Sequence, residues 1–146
     1  MKLHLAIFSL ALIIALLQTS LLPSLGIYLD ALLVFVLTVS YATTREFGAL
    51  TAFASGLLLD LMSVGRFGVF TFTYTLFANI FYLLLNLFGK KFFNLTFAVI
   101  IFSTVEQLIL KSPPSFVNII SNSIVSVGIA LLFYPCIKKL REKLWS

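Results

Sequence analysis

Five carboxylates, one histidine and one cysteine are all that this chain offers for acid–base, nucleophilic or metal chemistry. Hydrolysis in apolar surroundings needs a serine–histidine pair, two facing aspartates or a His-Glu-x-x-His pattern. The single histidine, His4, stands near the N-terminus with no carboxylate beside it, so it is expected to be solvated or in contact with headgroups. Cys136 alone can form neither an internal disulfide nor a cysteine metal site, and is expected to pack at a helix end. Asp30 and Asp60 could in principle form an acid dyad, but no catalytic pattern surrounds either. Enzymatic chemistry, a metal centre and a cofactor are therefore not expected.

What must position these few groups is apolar. Hydrophobic residues make up 61% of the 146 and charged ones only 10%, and mean hydropathy is +1.13. Too few polar residues remain to cover a soluble domain, so the composition indicates an all-α integral membrane protein. The net charge of +5 then reads as cytoplasmic loop ends rather than as a nucleic-acid surface. Lys2 followed by Leu5 to Leu17 resembles a signal peptide, yet the apolar run continues to Leu22 and no small-x-small cleavage site follows.

Taken in order, the chain predicts six transmembrane helices over about 4–22, 27–42, 47–64, 69–88, 92–110 and 116–136, forming one compact bundle. Pro23 to Gly26, Arg45-Glu46, Gly65 to Gly68, Gly89 to Lys91 and Lys111 to Pro114 connect them, leaving no room for an extramembrane domain. A basic tail follows from Lys138 to Trp145. With both termini in the cytoplasm, Lys2, Arg45, Lys90, Lys91, Lys138, Lys139, Arg141 and Lys143 lie inside. Only Arg66 and Lys111 of the ten basic residues then lie outside, the asymmetry expected of a multi-pass inner-membrane protein.

This topology sets the depth of each charge. Asp30, Asp60, Arg66, Glu106 and Lys111 gather toward the outer face. A charge at mid-membrane costs roughly 2.5–3.5 kcal/mol on insertion scales, so the cluster is expected either to pair, as Asp60–Arg66 and Glu106–Lys111, or to line a polar cavity. Gly48, Ala52, Gly56 and Asp60 recur every four residues along helix three, and Ala11 and Ala15 repeat the small-residue spacing in helix one. Such stripes let another helix come close, either within the bundle or from a partner. Helix four carries Thr71, Thr75, Asn79, Tyr82 and Asn86 on one face, and helix six carries Asn118, Asn122, Ser126 and Ala130. Facing stripes of this kind make hydrogen bonds between helices or border a transport path.

The segment Gly56-Leu57-Leu58-Leu59-Asp60-Leu61-Met62-Ser63, followed by Gly65-Arg66-Phe67-Gly68, with Asp30 opening helix two, resembles the bacterial rod-shape-determining protein family MreD. The chain departs from that family at Leu29 and at Arg66-Phe67, where proline and Pro-Leu are common. The resemblance implies a non-catalytic inner-membrane scaffold of the cell-elongation machinery. It would bind the single-span protein MreC and support lateral peptidoglycan synthesis by RodA and its penicillin-binding protein, alongside MreB. The MreD fold is similar to that of the substrate-capture subunits of energy-coupling-factor vitamin transporters. Those subunits dock through an Ala-x-x-x-Ala pair, matched here by Ala11 and Ala15, and bind ligand at the outer face.

Overall fold

The computed structural model describes residues 2–21, 30–63, 67–89, 91–110 and 116–145. It contains six helices: α1 (Lys2–Leu16, continuing as a π-helical turn over Leu17–Leu21), α2 (Ala31–Ala42), α3 (Arg45–Met62), α4 (Val69–Phe88), α5 (Phe92–Leu110) and α6 (Phe116–Trp145). The expected turn over Pro23 to Gly26, Arg66, Lys90 and the segment from Lys111 to Pro114 lie outside the described residues.

The organising element is α2. Its sequence, ALLVFVLTVSYA, is apolar on every side, and a helix without a polar face must be enclosed. Every residue from Leu32 to Ala42 is buried. The other five helices form a ring around it in the order α1, α3, α4, α5, α6, each packing on α2 and on its two ring neighbours, with α6 closing against α1. At 1.5 Å per residue α2 is only about 18 Å long, shorter than the roughly 30 Å hydrocarbon layer. Val69–Phe88 and Ile120–Glu142 are long and apolar enough to cross a membrane, while Leu5–Ser20, Ala31–Ala42 and Phe93–Leu108 are shorter apolar stretches.

Two glycines sit where neighbouring helices approach closely. Gly48 on α3 abuts Ser40 on α2, where an added Cβ would sit 2.9 Å from the Ser40 Cα. At Gly56, α3 meets the first turn of α4, and a Cβ would lie 2.5 Å from the Thr71 Cα and 2.7 Å from the Phe70 carbonyl oxygen. Aromatic rings fill the wider gaps. Phe35 packs edge-on against Phe133 at 5.6 Å, and Phe77 stacks on Phe102 at 4.7 Å.

Three boundaries differ from the sequence reading. Arg45 and Glu46 form the first turn of α3 rather than a connection, because Thr44 takes the extended N-cap conformation before them. Helix α1 widens into a π turn after Leu16 instead of running on as regular α-helix. Helix α6 does not stop at residue 136 but continues through the basic tail to Trp145, with Pro135 inside it. Lysine and arginine are good helix formers, so the charges change the helix's surroundings without breaking it. Cys136 is consequently exposed along α6 and not packed at a helix end.

Candidate functional site

In an apolar medium the unpaired amides and carbonyls at helix ends cannot rely on water. In this protein several polar side chains, Asp60, Gln18, Tyr82 and Arg141 among them, serve those ends.

Asp60, in the last turn of α3, is 2% exposed. Its Oδ1 accepts the Phe70 N–H at 3.0 Å and its Oδ2 accepts the Thr71 N–H at 2.9 Å. The Thr71 hydroxyl donates to the same Oδ2. The carboxylate thus caps a helix it does not belong to. Gly68, the residue at the N-cap position of α4, has φ +90°, a conformation that suits glycine and that brings the α4 amides down onto Asp60. The positive end of the α4 dipole stabilises the charge. Asp60 was expected to pair with Arg66; its partner within the described residues is instead the backbone of α4.

The N-terminal end of α2 is served from other helices as well. Asp30 occupies the N-cap position, 4% exposed, but its side chain does not cap α2. Gln18, in the π turn after α1, accepts the Leu32 N–H at 2.9 Å. Tyr74 on α4 lies close to both Gln18 and Asp30. The Tyr74 hydroxyl donates to Glu106 Oε1 on α5 at 3.4 Å. Helices α1, α2, α4 and α5 therefore each bring a polar group to this region, Gln18 half-buried and Asp30, Tyr74 and Glu106 buried. Ser103 and Gln107, within a turn of Glu106 on α5, are buried too, and neither the Ser103 Oγ nor the Gln107 Nε2 has a hydrogen-bond partner among the described residues.

At the opposite end of α2, the Tyr82 hydroxyl donates to the Thr43 carbonyl at 2.8 Å, and Arg141 Nη1 donates to the Ala42 carbonyl at 2.6 Å. A guanidinium at a helix C-terminus faces the negative end of the dipole. The central helix is thus fastened at both ends by its ring.

The expected outer cluster divides. Asp30 and Glu106 share the surroundings of Tyr74, Asp60 serves α4, and Arg66 and Lys111 lie outside the described residues. Asp60 caps α4, whereas Asp30 stands at the N-cap position of α2 without capping it. Gly48, Ala52, Gly56, Ala11 and Ala15 are all buried. Because Ala11 and Ala15 are fully enclosed by the chain's own helices, they present no alanine pair for docking. The α4 stripe divides: Thr71 and Tyr82 bond Asp60 of α3 and the end of α2, as expected of bonds between helices, whereas Thr75 and Asn79 bond their own backbone. The Asn79 amide donates to the Thr75 carbonyl at 2.8 Å, and the Thr75 hydroxyl to the Thr71 carbonyl at 2.7 Å. Asn86 is exposed and Asn122 half-buried, and the side chain of Asn118 lies outside the described residues. Since α5 separates α4 from α6 in the ring, the two stripes do not face each other.

Sequence reasoning passed over Gln18 and Tyr74, and assigned Tyr82 to a stripe and Arg141 to a tail. The one available signal was Gln18, an amide inside an otherwise apolar run.

Fold and site together define an all-helical membrane protein whose buried polar residues fasten helices to one another. The family model of the rod shape-determining protein MreD matches residues 1–144, and the chain belongs to that family. No curated protein and no solved structure gives a significant match. Membership assigns it a part in rod-shape determination.

Proposed function

We propose that this protein is a non-catalytic scaffold of the cell-elongation machinery, spanning the inner membrane six times with both termini in the cytoplasm. The observation that carries this reading is the use made of Asp60, in the segment most like the MreD family: its carboxylate is committed to capping α4. A group held by two backbone amides and a hydroxyl serves structure, not turnover. The scaffold binds an MreC-like single-span protein and through it supports lateral peptidoglycan synthesis by RodA and its penicillin-binding protein, alongside MreB.

The small-residue stripes are enclosed within the bundle, so the partner meets other surfaces. The outward rows of the ring helices, such as Phe72, Leu76, Leu83 and Leu87 on α4, are exposed and apolar. Co-purification tests the reading. The tagged protein extracted in mild detergent should bring down a single-span MreC-like protein in defined stoichiometry. Recovery of a tightly held vitamin-sized ligand with no such partner would favour the transporter-subunit reading instead.

A further inference from the structure

The last four turns of α6 change character along one exposed face. Leu131 and Leu132 are 52% and 73% exposed, and Pro135 and Cys136 continue the exposed face. Lys138 and Lys139, both exposed, follow seven residues after the leucines, which is two turns or about 10.5 Å along the axis. An exposed helix face that passes from leucine to lysine over that distance matches the passage from hydrocarbon to headgroup. Tyr134, half-buried one turn before Lys138, packs edge-on against Tyr41 of α2 at 5.6 Å, an amphipathic ring at the depth where tyrosines collect.

This basic turn is not a free tail. Arg141, one turn after Ile137, is tied to the Ala42 carbonyl at the end of the central helix, and Ile137 is 1% exposed. The two contacts hold α6 against the bundle on one side and turn Lys138 and Lys139 outward on the other. Neither lysine makes an ion pair among the described residues. Lys91, at the start of α5, and Arg45, at the start of α3, are exposed as well. Both lie at helix ends that the antiparallel course of the chain brings to the same end of the bundle.

We infer that Lys138 and Lys139 form a pre-positioned site for the phosphate of an anionic lipid headgroup. The acyl chains lie along Leu131 and Leu132, and Arg141 acts as the positioning residue. The ligand is assigned to the lipid because the apolar approach and the basic turn are continuous on one helix face, which suits an amphiphile and not a soluble anion. The inference rests on membrane location, and it holds whether or not an MreC-like partner binds.

The test is native mass spectrometry of the detergent-purified full chain with equal amounts of phosphatidylglycerol and phosphatidylcholine of matched acyl chains. The wild type should retain phosphatidylglycerol preferentially, and 0.5 M ammonium acetate should abolish the preference. The double variant K138Q/K139Q should lose about tenfold or more of the preference, since both surface charges that attract an anionic bilayer are removed. K138R/K139R should keep it. An unchanged preference in K138Q/K139Q, or an equal loss in a Lys91→Gln control, overturns the site. Displacement of the lipid by inorganic phosphate or by a soluble acidic peptide at equal concentration overturns the assignment to a lipid.

Discussion

Gly56→Ala is the sharpest perturbation of this fold, because it adds one methyl group at a place where two backbones already touch. The new Cβ would lie 2.5 Å from the Thr71 Cα and 2.7 Å from both the Phe70 oxygen and the Thr71 nitrogen. Carbon atoms rest at about 3.5–4.0 Å, so α3 and α4 must separate by about 1 Å. None of the three atoms belongs to a side chain that could rotate away. One turn along α3, the same separation stretches the Asp60 bonds to Phe70 and Thr71 from 3.0 and 2.9 Å toward 4 Å, beyond hydrogen-bond range. Overpacking of a core costs about 1–3 kcal/mol, and loss of a helix cap adds about 0.5–2 kcal/mol. The expected total is about 2–4 kcal/mol, somewhat offset by the better helix propensity of alanine. The assay is reversible unfolding in mixed micelles, with Gly128→Ala as the control. Gly128 has nothing within 4 Å of an added Cβ, so that change should be neutral or stabilising by up to about 1 kcal/mol. If Gly56→Ala unfolds no more easily than Gly128→Ala, α3 and α4 are not in backbone contact and the reasoning fails.

The remaining predictions concern the helix ends. Asp60→Ala should destabilise by about 2–3 kcal/mol because two α4 amides and the Thr71 hydroxyl lose their acceptor, and Asp60→Asn should recover part of the loss; equal effects of the two would mean that the carboxylate does not cap. Tyr82→Phe should cost about 1–2 kcal/mol by leaving the Thr43 carbonyl unpaired, and more than Tyr74→Phe, whose bond to Glu106 is long at 3.4 Å against 2.8 Å; the reverse order in the same micelle assay would contradict the capping of α2. Arg141→Met, which keeps the stem and removes the donors, should cost about 1–3 kcal/mol, and a double-mutant cycle with Tyr82→Phe should show coupling, as both side chains serve carbonyls of adjacent residues.

The count and order of the helices were legible because apolar runs are punctuated by Gly, Pro and charge at short intervals. The enclosed position of α2 was written in a segment with no polar face. The partner that Asp60 has within the described residues was not legible. Spacing offers side chains such as Arg66, whereas the group that holds Asp60 is the backbone start of α4, which carries no residue code of its own. Ala11 and Ala15 showed that a close contact exists, but small residues read the same whether the neighbour is an internal helix or a partner. Helix α6 was cut short in the sequence reading because the charges of Lys138 to Lys143 look like a boundary; they mark a change of surroundings and leave the helix intact.

The ring around α2 also bears on how the chain is made. Synthesis delivers the enclosed helix second, before four of the five that surround it, and the circle is completed only when α6 reaches α1. Until then a helix of about 18 Å, capped at one end by Gln18 and at the other by a side chain near the C-terminus, has no finished surroundings. The nascent protein must therefore hold α2 in an incomplete shell through most of its synthesis. Removing the last helix would open the circle at α6 and take the Arg141 cap with it, so truncation from the C-terminus should fail as a whole-protein event, not as the loss of one segment.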